Sequence, residues 1–347
     1  METGYKSGLA TVQKLSSLKP IEGADKIELA QMEGMGWVVV VQKGLHTVGD
    51  LVCFIPIDIV CPDKPWFSFL KDRHFRVRTV RLRGQLSQGI ILPLSVLEGS
   101  GFKEGDDITE LLGVKKYEKE VPQGGSPRGT RPNFIPKTDE DRLQSYLRLL
   151  QEIKGVKVYI TTKCDGSSCT FFYRKSPELE KGEFGVCSRQ QLYAEDDINA
   201  FSSTARTLGI HEKMEAFGCN IAVQGELVGP GIQKNKMGLP SLQFLAFNAW
   251  DIDNQRYIGY EESRNIFAAL GMTPVPLVEV GKTLEEIFGK DDITIDDLLK
   301  YSEGSYDSGE PREGIVIRPM SEMYSDVLRG RLSFKVVNNK FLEKWKE

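Results

Sequence analysis

Val156-Lys157-Val158-Tyr159-Ile160-Thr161-Thr162, followed at once by Lys163-Cys164-Asp165-Gly166, is the stretch on which the fold turns. The first seven residues are mostly apolar or β-branched and read as a buried strand. The next four place a lysine at the strand end and a tight Asp-Gly turn behind it. A lysine so placed can be held against a nucleotide phosphate as a nucleophile, although by itself the pattern describes an ordinary surface turn equally well. What distinguishes it is the ordered series downstream: Ser188-Arg189, Gly225-Glu226-Leu227-Val228-Gly229, Phe244-Leu245-Ala246-Phe247, Glu313-Gly314-Ile315-Val316-Ile317-Arg318 and Phe334-Lys335-Val336-Val337-Asn338.

Working outward, 347 residues exceed one ordinary core, so two domains are expected. An apolar fraction of 40% and a charged fraction of 27% describe a folded, water-soluble chain. No stretch approaches the roughly 18 consecutive apolar residues of a membrane helix, and Met1-Glu2-Thr3-Gly4-Tyr5-Lys6 lacks the apolar core of a signal peptide, so an intracellular protein with no membrane partner is expected. The six cysteines contain no Cys-x-x-Cys pair and meet only three histidines, which argues against structural zinc and for free thiols. Cys164, beside the lysine, is the thiol to watch. A net charge of −4 excludes a uniformly basic nucleic-acid coat. Yet Lys71, Arg73, Arg76, Arg78, Arg81 and Arg83 are opposed within their segment by Asp72 alone. That run is either a solvated strand face or a phosphate-tracking surface, and Arg76, Arg78, Arg81 and Arg83 are its candidate nucleic-acid contacts.

Residues 1 to 113 read as short strands between Gly, Pro and Asp, including a strand from Arg76 to Leu82, and suggest a small β-barrel of OB type. Residues 114 to 137 lose apolar periodicity and gain Pro, Gly, Lys and Arg, as a basic linker or mobile loop does. From 138 to 347 an α+β domain with mostly antiparallel sheets is expected. Thr138-Asp139-Glu140-Asp141 could cap an amphipathic helix over 139 to 153, on which Leu143, Tyr146, Leu147 and Leu150 recur at three and four. Further helices are expected near 198 to 208 and 261 to 270, and acidic residues 291 to 300 as a solvent-facing helical insertion.

A lysine amine attacks phosphorus only when neutral, and its ordinary pKa is about 10.4. It therefore needs desolvation and nearby cations, for which Lys335, Arg189 and a bound magnesium are candidates. Glu226 and Glu313 suit magnesium, with Asp165 a third oxygen source, although a strand-edge ion pair is as ready an account of Glu226. Strand alternation puts Phe244 and Phe247 on opposite faces, so one is core and one can stack on a purine; Phe247 is the choice.

This series resembles the motifs of the covalent nucleotidyltransferases, which include ATP-dependent DNA ligases, RNA ligases and mRNA capping enzymes. Lys163-x-Asp165-Gly166 is similar to their nucleophile motif, Glu226 to the third motif, Phe247 to the base-stacking motif, Glu313-Gly314 to the fourth and Lys335 to the fifth. Within the superfamily the chain most resembles the fifth RNA ligase family, in which an OB domain precedes the transferase. That likeness runs through Pro20-Ile21-Glu22-Gly23-Ala24-Asp25, Arg81-Leu82-Arg83-Gly84-Gln85-Leu86-Ser87-Gln88-Gly89 and Ile135-Pro136-Lys137-Thr138-Asp139-Glu140-Asp141-Arg142.

The resemblance implies an ATP-dependent RNA ligase in which Lys163 takes AMP from ATP and passes it to a 5′-phosphate, and a 3′-OH then displaces it. Its substrate would be a duplex nick with RNA on the 3′-OH side. The sequence itself does not fix the oligomeric state; a monomer is expected. Lys163, Asp165, Glu226, Glu313 and Lys335 would be catalytic. Arg142, Gly166, Arg189 and Phe247 would join Lys163, Glu226 and Lys335 around the nucleotide, and Asp165, Glu226 and Glu313 would hold Mg2+ or Mn2+. For Arg142 a helix-surface salt bridge is an equal alternative. Many relatives carry two lysines in the fifth motif; here one remains, and Ser333 or Val337 stands where the other would be. The chain ends at Glu347, which leaves no room for the C-terminal OB domain of DNA ligases and capping enzymes. A GTP-dependent capping-type transferase and a nonenzymatic RNA-binding protein are the alternatives.

Overall fold

The computed structural model describes residues 8–118, 124–177 and 182–345. In its N-terminal part five antiparallel strands lie in the order Val38–Gln42, Ile27–Met32, Thr11–Pro20, Leu51–Ile55, Ile90–Pro93. The outer edges approach each other where the Gln88 N–H donates to the Val38 carbonyl at 2.8 Å, so the sheet nearly closes around Trp37, Val39, Phe54 and Ile55, the OB-type barrel expected. The strand expected from Arg76 to Leu82 is two strands. Arg76–Val77 pairs with Ile59–Val60, while Val80–Leu82 forms a hairpin with Gln85–Ser87. Arg83 and Gly84 both take positive φ, 48° and 79°, as a two-residue hairpin loop requires.

The rest is an α+β body of two larger sheets. One runs Asp141–Arg142, Phe334–Val337, Gly314–Pro319, Val158–Lys163, Leu277–Lys282; the other is centred on Glu183–Cys187, Ser167–Arg174, Ile221–Val228 and Gln243–Asp251. Helices Ala200–Leu208, Ile210–Phe217 and Tyr260–Ala269 cover the second sheet, with Phe201, Met214 and Phe267 buried on it. Residues 164 to 166 join Val158–Lys163, an inner strand of one sheet, to Ser167–Arg174, the central strand of the other. The Lys163–Gly166 turn is thus the crossover between sheets, where side chains from both converge.

The helix expected over 139 to 153 does not form. Asp141–Arg142 is a strand parallel to Phe334–Val337, with Arg142 opposite Lys335; a 3-10 turn follows at Leu143–Ser145 and a single helical turn at Leu149–Glu152. Tyr146, at φ −146° and ψ 66°, breaks any helix. The backbone has partners a helix would deny it, since the Gln144 carbonyl accepts from Gly36 N–H at 2.8 Å. The helix in the acidic segment is Ile295–Ser302, started by a Thr294/Asp297 capping box, and it is not a solvent-facing insertion: Leu298 is fully buried on the five-stranded sheet.

The two parts share a core. Phe341 and Leu342, on the C-terminal helix Asn339–Trp345, sit inside the hydrophobic cluster of the barrel. Each such burial contributes about 1.5–3 kcal/mol. The Trp37 indole N–H also donates to Ser145 Oγ at 3.1 Å, and Gln88 Nε2 to Asn339 Oδ1 at 3.1 Å. Of the basic segment 114 to 137, residues 119–123 lie outside the described residues. On either side of them, Lys115–Lys116 pairs with the barrel strand Ile59–Val60 and Gly129–Thr130 with Gln191–Tyr193 of the larger sheet. Among the described residues no helix is long and apolar enough to cross a membrane.

Candidate active site

Register brings the reactive groups together. Strand Val158–Lys163 runs antiparallel to Gly314–Pro319 with Lys163 opposite Gly314, which sets Glu313 beside the lysine: Nζ to Oε1 is 2.6 Å. Gly314 is required here, because a Cβ would stand 2.2 Å from the Val336 carbonyl at a φ of 154°. Glu226, on Ile221–Val228, lies opposite Ser168, just past the turn. Gly166 permits its approach, since a Cβ there would meet the Leu227 carbonyl at 2.4 Å and Glu226 Cγ at 2.7 Å. One hydroxyl ties the turn together. Tyr306 Oη accepts from the N–H groups of Asp165 and Glu313 at 3.1 and 3.0 Å and donates to the Lys163 carbonyl at 3.1 Å.

The electrostatics differ from those expected of a lysine ready to attack. Burial alone would lower the Lys163 pKa, but Glu313 and then Glu226 outweigh it and push it up to about 12. Lys163 is a charged ammonium clamped by carboxylates, not a neutral amine. Burial, resisted by Lys163, raises Glu226 to about 8. Lys335 goes the other way: burial, with Arg142 and Lys163 as like charges, lowers it to about 8. Glu313→Gln removes the nearest anion, so the Lys163 ammonium, followed by NMR, should titrate about 1–3 units lower; an unchanged midpoint would show that Glu313 does not set its charge.

A pocket opens on one side of Lys163, lined by Thr161, Phe247, Val275 and Arg318. Phe247 is half-buried in it, while Phe244 is core, its ring centroid 4.7 Å from that of Phe171. On the other side a broader groove passes Ser188, Arg189, Tyr193 and Lys335, and Lys163 and Glu226 belong to both. Arg142 is not on a helix surface. Its guanidinium bonds Asp58 of the barrel at 2.6 Å, and Asp58 also holds Arg76 at 2.9 Å. Burial pushes the Asp58 carboxyl up, but Arg142 and Arg76 together hold it below its ordinary value. Arg189 reaches Asp139 at 2.8 Å, which Lys116 also contacts at 3.0 Å.

Asp165, the third expected oxygen donor, has a cationic partner of its own. It is paired with Lys236 at 2.7 Å, although its charge still acts on Lys163 and Glu226, and among the described residues no three metal-ligating side chains gather in one cluster. Glu226 and Glu313, the two carboxylates around Lys163, fit a magnesium-type ion that takes a few carboxylate oxygens and fills its shell with water and phosphate. The cationic run divides likewise. Arg76 is buried, paired with Asp58, and its guanidinium lies 3.5 Å from the Tyr117 ring centroid; Arg78 is half-buried. Arg81 is exposed but bonded to Glu343 and the Gly84 carbonyl, and Arg83 is exposed at the hairpin tip.

Sequence reasoning assigned no role to Arg318, whose guanidinium lies 5.8 Å from the Phe247 ring centroid and is held by Glu140 at 2.7 Å. It also passed over Tyr306 and Lys236. Arg318 had a signal, as the polar end of the buried run after Glu313-Gly314; the other two had none.

A lysine at the crossover of two sheets, flanked by carboxylates from each, with a pocket walled by Phe247 on one side and a broad groove of mixed charge on the other, defines a nucleotidyltransferase-type ligase. The comparisons agree. Residues 156–337 match the family model for RNA ligase and residues 9–94 one for an OB-fold domain. An apo aspartate-to-alanine mutant of Naegleria gruberi RNA ligase is 32% identical, with a TM-score of 0.84 over 97% of this chain and 98% of that one. The same protein as a lysine-to-alanine mutant with ATP and Mn is 31% identical, with a TM-score of 0.83 over 97% and 99%. With PPi it is 32% identical, with a TM-score of 0.83 over 97% and 98%. No curated protein matches this chain. The chain belongs to the RNA ligase family.

Proposed function

We propose that this RNA ligase is ATP-dependent and seals 3′-OH/5′-phosphate breaks in duplexes that carry RNA on the 3′-OH side. The observation that carries the reading is the convergence of Lys163, Glu226, Glu313 and Lys335 where the aromatic pocket meets the groove. The adenine stacks on Phe247, and the triphosphate points past Lys163 toward Lys335, Arg189 and Arg142. With Lys163 deprotonated, its Nζ forms a bond to the α-phosphorus while the bond to pyrophosphate breaks. An oxygen of the polynucleotide 5′-phosphate then attacks that phosphorus and the Nζ–P bond breaks, leaving AMP joined to the strand through a pyrophosphate. Last, the 3′-OH attacks the 5′-phosphorus and AMP departs.

Each side chain has work in this sequence. Glu313, at 2.6 Å, is placed to take the ammonium proton. Lys335 supplies positive charge where the phosphates gather, and its depressed pKa of about 8 lets it respond to an arriving anion by holding its proton. Glu226 and Glu313 would hold a divalent cation, which would supply positive charge for the leaving phosphates. The ATP and Mn present with the lysine-to-alanine mutant of Naegleria gruberi RNA ligase, and the PPi present with the same protein, support the same reading of donor and leaving group. The five buried free cysteines and the exposed Cys219 suit a reducing, intracellular setting.

Nicked duplexes in the four RNA and DNA strand combinations test the specificity. Sealing should be strong only where the 3′-OH strand is RNA, and equal sealing of all-DNA nicks would overturn it. The exposed tip of the cationic hairpin should act on polynucleotide steps alone. Arg83→Glu is expected to weaken nick binding and reduce its salt dependence by about one unit of slope, with lysine adenylylation unchanged. An equal loss in both assays would remove the barrel hairpin from the substrate path.

A further inference from the structure

Lys236 is an unusual lysine. Its side chain is 2% exposed, and its ammonium lies 2.7 Å from the Asp165 carboxylate, 4.4 Å from the Phe341 ring centroid and 4.9 Å from that of Trp345. A buried ammonium is costly unless paired, and here it has a carboxylate on one side and two aromatic faces on the other. The backbone is bent to deliver it. Gln233, Lys234 and Asn235 are consecutive left-handed residues, with φ of 44°, 64° and 47°. Each such residue costs roughly 1–2 kcal/mol. The turn is held by the Asn235 amide, which exchanges hydrogen bonds with the Leu239 backbone at 2.8 and 3.0 Å, and by Ser308, whose hydroxyl donates to the Lys236 carbonyl at 2.8 Å.

The two ends of this contact belong to different parts of the molecule. Asp165 is in the nucleophile turn, one residue removed from Lys163. Phe341 belongs to the C-terminal helix and is buried in the barrel core, against which Trp345 also packs. We infer that Lys236 is a positioning residue for the lysine-attack step: it holds Asp165, and with it the Lys163–Gly166 turn, against the helix that seats the barrel. The proposal deepens the ligase reading and rests on it. A merely structural ion pair would stabilise the fold without bearing on the transfer rate at saturating nucleotide.

The test is a double-mutant cycle in single-turnover labelling with ATP and magnesium. Lys236→Met keeps length and apolar contact but removes the charge; it should lower the rate constant of Lys163 adenylylation by about ten- to a hundredfold, with the ATP concentration for half-maximal rate within about threefold of wild type. Lys236→Arg, which keeps the charge, should recover most of the loss. Lys236→Met/Asp165→Asn removes the stranded carboxylate and so guards against misfolding. If Lys236 acts through Asp165, adding Lys236→Met to Asp165→Asn should change the rate less than about twofold. A wild-type rate in folded Lys236→Met, or the same loss in both backgrounds, overturns the inference. If the wild type takes no label, it is the ligase reading that fails; a nonadditive shift of the urea midpoints of the same four proteins, read without nucleotide, then still reports whether Lys236 and Asp165 are coupled.

Discussion

Lys163→Ala should lose transfer of AMP to the protein by about 10⁴-fold or more, yet still seal a nick whose 5′-phosphate already carries AMP, within roughly tenfold of wild type. The separation follows from the chemistry. In the proposed sequence the Lys163 Nζ–P bond forms in the first step and breaks in the second, whereas in the third the 3′-OH is the nucleophile and AMP the leaving group. Glu226, Lys335 and Arg189, all lining the groove, remain in place for that last step. Loss of both reactions would mean that the Ala variant has disturbed the carboxylates as well. In the wild type Glu313 answers to Lys163 at 2.6 Å, so Lys163→Met, which preserves bulk, separates the two explanations.

The second large effect is on stability. Arg318 is 2% exposed, and its Nη2 donates to Glu140 at 2.7 Å inside the wall of the aromatic pocket. Burial pushes the Glu140 carboxyl up, but Arg318 and Arg331 overcome it and hold the carboxyl below its ordinary value. Glu140→Ala strands a buried guanidinium and should lower the unfolding free energy by about 3–5 kcal/mol, measured by urea denaturation. The folded-state pKa of Glu140 is depressed, so its contribution is present above the unfolded carboxylate value and is lost as pH falls through the folded one. The penalty of Glu140→Ala should therefore shrink in strong acid. A variant as stable as wild type at neutral pH would show that water reaches Arg318.

What the sequence made legible is local or periodic. Lys163 stood out because a β-branched run ends on it, Glu313 because an apolar run starts just after it, and Phe247 because alternation allows only one of two aromatics into a pocket. The short strands of the N-terminal part gave the barrel. What stayed hidden depends on partners far away in the chain. Residues 139 to 153 have helical spacing, but Asp141–Arg142 finds a sheet partner almost two hundred residues on, at Phe334–Val337. Arg76 reads as one more cation in a basic run until Asp58 and Tyr117 bury it. Asp165 reads as a metal ligand until Lys236 meets it, and nothing local marks either Lys236 or the Tyr306 hydroxyl. The charge of Lys163 is hidden for the same reason: the local sequence points to cations around it, whereas Glu313 and Glu226, distant in the chain, push its pKa up.

The central claim is that one lysine, at the meeting of two sheets, becomes covalently joined to AMP. Peptide mass spectrometry of the protein after incubation with ATP and magnesium tests it most directly. A single AMP on Lys163, released by pyrophosphate and not formed from GTP, is the predicted result. An unmodified Lys163, or AMP found on another residue, would contradict the account.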